Sequence, residues 1–237
     1  MKFELLEFDT KLFGFKVAKI VTPKLSRIKL RALLDQLRQQ NVRLVYWPTD
    51  STDQQSQQAA KTFQGFLSSN QVTYLISLQK LPLLPATAAK IKRYQAKKPT
   101  AAMKQLALQI GIKSRFAIDP KLKPLLHKLY YAWIKNSVNG SVAARVLVTR
   151  HKNQVIGMIT LGEKNGRGDI GLLAVDPNFR GNSLGTKLVA AAQNYFIKKG
   201  CSEAQVVTQK TNLPACHLYE KSGFHQEKIE NFYHFWL

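Results

Sequence analysis

Acidic residues are scarce in this chain: 14 Asp and Glu stand against 36 Lys and Arg, a net charge of +22 over 237 residues. Residues 1–85 hold 12 basic and 6 acidic groups, and the remainder 24 and 8, so most of the surplus lies in the second part. An anionic partner is one reading: a nucleotide cofactor, a nucleotide-linked substrate, nucleic acid or an acidic membrane. A basic composition with solvated lysines is the plainer one. The basic cluster Lys90, Lys92, Arg93, Lys97 and Lys98 lacks interleaved aromatics, which disfavours nucleic acid. Cysteines number two, Cys201 and Cys216, too few for a disulfide framework, and a reducing, cytoplasmic setting is expected. The five histidines are scattered without zinc-site spacing, so no metal is expected. No apolar run approaches the ~18 residues of a membrane span. The opening Met1–Glu7 alternates like a strand and lacks the apolar stretch of a signal peptide.

What is present reads as an α/β protein in two parts. Strands are predicted at 3–8 and 16–21, with Leu12–Phe15 as the turn between them. A helix follows from Pro23 to about Gln40, then a strand from Val42 to Trp47. A short polar helix capped by Ser51 or Thr52 precedes a strand from Val72 to Leu78. Pro82 and Pro85 interrupt any regular element, which predicts domains at 1–85 and 86–237. The second part reads as a strand from Lys90, a helix from Thr100 to Ile110 and a Ser114–Phe116 link. A helix starting at Asp119-Pro120 follows, then a hairpin about Lys152-Asn153 with a four-residue turn. The strand at 170–175, a helix to about Lys199, a strand at 204–208, a helix from Pro214 to Ser222 and a last strand pair from Phe224 complete it.

The organising stretch runs from Ile170 to Leu188. An apolar strand ends at Val175, Asp176-Pro177 breaks it, and a loop turns into a helix with Leu184, Leu188, Ala191, Ala192, Tyr195 and Phe196 on one face. The first N–H groups of a helix lack internal partners and carry the positive end of its dipole, so such a turn makes a phosphate cradle. Gly181 and Gly185 let a ligand approach the backbone, and Arg180 adds charge. The loop lacks the Gly-Lys-Ser/Thr ending of a P-loop and the three-glycine dinucleotide spacing. An ordinary strand–turn–helix is the plain alternative.

Arg180-Gly181-Asn182-Ser183-Leu184-Gly185 resembles the pyrophosphate loop of the GCN5-related N-acetyltransferases, Gln/Arg-x-x-Gly-x-Gly/Ala, with Ser183 where that family usually has its first glycine. The predicted order of elements is similar to that family's layout. Asn212, Ala215, Tyr219 and Gly223-Phe224 resemble its second motif, in which an Asn opens a helix, an Ala packs near the coenzyme and Gly-Phe ends the helix. Asn212 is a good cap and Pro214 suits a first turn. Asn212 and Tyr219 lie two turns apart on one face. Taken further, Ser114-Arg115-Phe116, the segment from Leu129 to Gly140, Val207-Thr208-Gln209 with Asn212, the tail from Tyr233 to Leu237 and the opening Leu6–Gly14 are similar to the bacterial dTDP-fucosamine acetyltransferases.

The resemblance implies an acyl-CoA N-acyltransferase fold with a smaller N-terminal α/β domain, and acetyl-CoA as donor. It implies coenzyme contacts from Leu173, Val175, Arg180, Gly181, Asn182, Ser183, Leu184, Gly185, Thr186, Asn212 and Ala215, with Tyr219 as general acid. A phenol near pKa ~10 can protonate a thiolate whose thiol sits near ~8.5. A core or rim aromatic is the plain reading of an arbitrary tyrosine. The implied acceptor is the 4-amino group of dTDP-4-amino-4,6-dideoxy-D-galactose or a related nucleotide-linked amino sugar. Tyr130 or Tyr131 would contact the sugar, with Trp133 in the core. No His or Glu is placed as a dedicated base: Glu163, Asp169 and His127 are the nearest, each with a solvated or structural role as its plainer reading, and a water relay to solvent serves as well. A homodimer stays open. An acetyltransferase for protein amino groups and a non-catalytic basic module that binds nucleic acid or anionic lipid stand as alternatives.

Overall fold

The computed structural model describes residues 2–84 and 91–237. The expected boundary at 85/86, and Lys90 as a strand start, lie outside the described residues. Strand β3 (Val42–Asp50) shows how the layers are built. Successive side chains leave a strand on opposite faces, and both faces of β3 are apolar. Leu44 and Tyr46 enter one core, while Val45 and Trp47 enter another. A strand buried on both faces needs helices on both.

Those helices are α1 (Glu7–Phe13) on one side, and α2 (Arg27–Gln39) with α3 (Gln54–Thr62) on the other. In α2, Leu30, Leu33, Leu34 and Leu37 are buried at helical spacing. Each contributes roughly 1.5–3 kcal/mol by leaving water. Ser26 caps this helix, accepting from the Lys29 N–H at 3.4 Å, so it starts at Arg27, four residues beyond the expected Pro23. The N-terminal segment also differs from expectation. Strand β1 stops at Leu5 (Phe3–Leu5) and the chain turns into α1, which the Gly14 backbone ends at φ 80° with its N–H on the Thr10 carbonyl. A six-residue alternation is too short to distinguish the two, whereas Glu7 and Asp9 suit a first helical turn.

The remaining strands are β2 (Lys16–Ile20), β4 (Phe66–Ser77), β5 (Lys92–Arg93), β6 (Arg145–His151), β7 (Gln154–Lys164), β8 (Arg167–Val175), β9 (Glu203–Gln209) and β10 (His225–Trp236). They join into one mixed sheet in the order β1-β2-β3-β10-β4-β9-β8-β7-β6-β5. The last strand is thus inserted between β3 and β4, antiparallel to both. The expected terminal strand pair is this single strand. No Gly or Pro interrupts it, and its irregularities are bulges near Gln226 and Phe232.

Around the second part of the sheet, α4 (Ala101–Gly111), α5 (Arg115–Ile118) and α6 (Leu126–Val138) pack on one face. Helices α7 (Leu184–Lys198) and α8 (Leu213–Lys221) pack on the other. Thr100 caps α4 as its sequence suggests, accepting from the Met103 N–H at 3.3 Å. Asp119 does not open a helix. It is 1% exposed, bonded to the far end of β10, and α6 begins only at Leu126. The hairpin between β6 and β7 turns on two residues, Lys152 and Asn153, both with positive φ, instead of four. No helix among the described residues is long and apolar enough to cross a membrane.

Candidate active site between two parted strands

Strands β8 and β9 are parallel, yet they pair over three rungs only: Gly168 with Ala204, Asp169 with Gln205 and Ile170 with Val206. Just past Ile170 the register of β8 against β7 slips. Ile170 opposes Leu161, whereas Leu173 opposes Ile159. An extra residue on one strand bends it and disrupts its ladder. The Thr160 hydroxyl accepts from the Leu172 N–H at 2.7 Å, satisfying a donor the bulge displaces. Gly171 leaves room for that bond, since a Cβ there would lie 2.9 Å from Thr160 Oγ1. Beyond these rungs the strands part, and the gap opens into a cleft of about 630 Å³.

The loop after β8 forms one wall. Asp176 Oδ1 accepts from the Asn178 N–H at 2.9 Å and holds a tight turn over Pro177–Phe179. Gly181 and Ser183 then take left-handed backbone, with φ of 81° and 55°. Glycine does so freely, whereas a serine pays about 1–2 kcal/mol. Arg180 Nε donates to the Val175 carbonyl at 3.2 Å, which ties the guanidinium to the end of the strand. The first α7 amide with an acceptor is Lys187, which donates to the Ser183 carbonyl at 3.0 Å. The N–H groups of Leu184, Gly185 and Thr186 have no acceptor among the described residues, and all three residues line the cleft. A helix end of this kind can take an anion such as a phosphate. Gly185 also brings α7 close to α8, because a Cβ there would sit 3.2 Å from Leu218.

Helix α8 forms the opposite wall. Asn212, Ala215 and Tyr219 face the cleft from it. Asn212 does not cap through its side chain. Its Nδ2 donates to Thr208 Oγ1 at 3.3 Å, while its carbonyl accepts from the Ala215 and Cys216 amides. Tyr219 is 5% exposed, with the rings of Tyr74 and Phe224 at 5.9 and 6.0 Å. Burial pushes its phenol well above the ordinary tyrosine range, so it stays protonated. Gly223 at φ 88° ends α8, and the Phe224 amide bonds back to the Tyr219 carbonyl at 3.0 Å.

The cleft therefore gathers Leu173, Val175, Arg180, Gly181, Ser183, Leu184, Gly185, Thr186, Asn212, Ala215, Tyr219 and Tyr130. Two residues expected there lie elsewhere. The Asn182 side chain holds the loop, its Nδ2 donating to the carbonyls of Phe179 and Arg180 at 3.3 and 3.4 Å. Tyr131 is 43% exposed on the outer side of α6, under Lys104 Nζ at 4.8 Å. Adjacent helical residues point about 100° apart, so Tyr130 and Tyr131 cannot share a wall. Trp133 can share it with Tyr130: it stacks on that ring at 5.7 Å, packs against the core as expected and also lines the cleft. Gln109, Lys113, Ser114, Thr208 and Gln209 also line it; Ser114, Thr208 and Gln209 belong to segments that carried the resemblance, whereas Gln109 and Lys113 had no signal beyond ordinary helix and link positions. Of the candidate bases none lines the cleft. Glu163 is exposed, Asp169 accepts from Gln205 at 2.9 Å, and His127 lies in an outer groove beside Tyr131.

With this geometry in place, residues 113–224 match the model of the acetyltransferase (GNAT) family. Residues 113–224 belong to that family. The chain is 30% identical over 141 residues to the spore coat polysaccharide biosynthesis protein SpsD of Bacillus subtilis, covering 58% of this chain and 47% of that protein. It is 30% identical over 138 residues to the dTDP-fucosamine acetyltransferase of Escherichia coli O6:H1, covering 57% of each. The matches thus span about half the length of these curated relatives. A GCN5-related N-acetyltransferase from Sphaerobacter thermophilus shares the fold, with a TM-score of 0.61 at 13% identity over 98% of this chain and 75% of that one. The mixed sheet with its parted parallel strands is the GNAT fold expected from the sequence.

Proposed function

We propose that this protein is an acetyl-CoA-dependent N-acetyltransferase whose acceptor is an amino group of a nucleotide-linked sugar, of the dTDP-4-amino-4,6-dideoxy-D-galactose kind. The observation that carries the reading is the cleft itself, with three unpartnered helix-end amides at one end and the phenol of Tyr219 on the facing helix. The loop amides of Leu184, Gly185 and Thr186, with Arg180, suit a diphosphate. The exposed edges of Leu173 and Val175 suit an extended chain carrying peptide-like groups. Acetyl-CoA supplies an activated acyl group there.

In this reading the neutral acceptor amine attacks directly, and Tyr219 donates its proton to the departing thiolate sulfur. The raised phenol pKa keeps that proton in place at any working pH. Without a carboxylate or histidine of the expected set in the cleft, the amine loses its proton to solvent through water. The sugar assignment rests on the likeness to a dTDP-fucosamine acetyltransferase and to a polysaccharide biosynthesis protein. In this reading the reaction takes place in the cytoplasm, and the second of the two expected domains, 86–237, holds the coenzyme.

The test is incubation with acetyl-CoA and a panel of dTDP- and UDP-amino sugars and peptide amines, read by mass. A gain of one acetyl group on an amino sugar supports the reading. Transfer to peptides alone, or to nothing on the panel, contradicts it.

A further inference from the structure

The cleft joins the two faces of the sheet, and each face contributes one cation to it. Helices α7 and α8 lie on one face and α4, α5 and α6 on the other, yet residues from both sets line the same gap. From the first face comes Arg180, beside the free amides of α7. From the second comes Lys113, on the link between α4 and α5. No Asp, Glu or His lines the cleft among the described residues.

The link that bears Lys113 is held firmly. Gly111 closes α4 with the Tyr130 ring laid against it, so near that a Cβ there would sit 2.6 Å from the ring. Ser114 then bonds to the Gly111 carbonyl twice, through its N–H at 2.9 Å and its hydroxyl at 2.7 Å. The next cation, Arg115, turns inward to a buried relay. Its Nη1 lies 2.9 Å from His234 Nε2, and His234 Nδ1 lies 2.7 Å from Asp119 Oδ2. A guanidinium can only donate, so Nε2 accepts, the Nδ1–H donates to the carboxylate, and the ring is neutral. The same guanidinium stands 4.0 Å from the ring centres of Tyr46 and Phe116, and Arg115 does not line the cleft. Lys113 does line it, is exposed, and forms no ion pair among the described residues.

We propose that Lys113 holds the diphosphate of the nucleotide-linked acceptor. This rests on the acetyltransferase reading above, in which the α7 amides and Arg180 are taken by the coenzyme and the cation on the opposite face is left for the acceptor. Lysine binds phosphate as a point charge on a flexible stem, and the fixed backbone of the link keeps that stem at the cleft. A diphosphate arriving there meets no carboxylate. A basic peptide, by contrast, would meet two cations and nothing to pair with its own, so the cleft favours an anionic acceptor over a cationic one.

The test is calorimetry on the full chain saturated with coenzyme A, so that the α7 loop is filled, titrated with dTDP and with thymidine. Lys113→Gln is expected to weaken dTDP about tenfold, the loss of one charge-assisted contact, and thymidine less than twofold. With acetyl-CoA and dTDP-4-amino-4,6-dideoxy-D-galactose as substrates, the same variant should raise the sugar KM about tenfold with kcat near wild type, and Lys113→Arg should restore the KM. The side chain is exposed, so neither substitution removes packing from the core. Equal dTDP affinity in Lys113→Gln and wild type overturns this inference alone. So does an equal loss for thymidine, or a loss of acetyl-CoA affinity in that variant, which would assign the lysine to the coenzyme. A wild-type chain that binds acetyl-CoA and transfers to no nucleotide-linked sugar overturns the sugar reading and this inference with it.

Discussion

The amide of Leu172 is bonded to the hydroxyl of Thr160 on the neighbouring strand at 2.7 Å, just where β8 leaves its ladder with β9. Both residues are almost fully buried, so water cannot replace the bond. Thr160→Val keeps the shape and removes the acceptor. Leaving that N–H unsatisfied is expected to cost about 1–3 kcal/mol in urea unfolding, with Thr160→Ser close to wild type. Equal stability of Thr160→Val and wild type would mean that the bulge is held by other means.

Ser183 carries the second expectation. Its backbone lies at φ 55°, ψ 17°, in the left-handed region, and its side chain makes no capping bond. Ser183→Gly should relieve about 1 kcal/mol of strain and raise the melting temperature, while Ser183→Val should lower it. Differential scanning calorimetry on the pair decides this. A lower melting temperature for the glycine variant would mean that the hydroxyl serves the loop.

In the proposed reaction Tyr219→Phe removes the acid, and it leaves the ring in its place between Tyr74 and Phe224. Turnover is expected to fall by roughly a hundredfold or more, with acetyl-CoA affinity unchanged. Pre-steady-state transfer measured beside coenzyme titration separates the two quantities. Wild-type turnover would assign the proton to another donor.

Acid stability follows from the relay around His234. Burial pushes the imidazole pKa down to about 4 from the ordinary 6.5. Above pH 6.5 the ring is neutral in folded and unfolded chains alike and the contribution is whole. As pH falls from 6.5 toward 4 the unfolded chain takes up the proton first, and stability declines by about 3 kcal/mol. Asp119, whose pKa is lowered despite the opposing effect of burial because His234 and Trp236 donate to its carboxylate, loses its contribution at still lower pH. Asp9 acts with the opposite sign, since burial raises its pKa and protonation relieves it. Urea midpoints at pH 7, 5.5 and 4.5 should fall for wild type and fall less for His234→Gln. Parallel curves for the two would remove His234 as the cause.

The walls of the cleft between β8 and α8 were legible because their signals are local. Asp176-Pro177 stops a strand, Leu188, Ala192 and Phe196 repeat at helical spacing, and Asn212 and Tyr219 sit two turns apart; all of these bear directly on short-range geometry. The buried cluster around Asp119 was not legible, because it depends on pairing across the chain. Asp119 reads as a helix cap until His234, 115 positions away, is brought beside it. Insertion of β10 between β3 and β4 is likewise set by long-range burial of Tyr233 and Phe235 against Trp47, which no local period reports. Tyr131 faces outward and Trp133 reaches the cleft for a smaller reason: the phase of α6 relative to the sheet is fixed only by packing.

A crystal structure of the protein with acetyl-CoA tests the central claim most directly. The expected result is the diphosphate against the amides of Leu184, Gly185 and Thr186, the pantetheine arm between β8 and β9, and the thioester sulfur within hydrogen-bond reach of the Tyr219 hydroxyl. Coenzyme bound on any other surface, with the gap between those strands left to solvent, would contradict it.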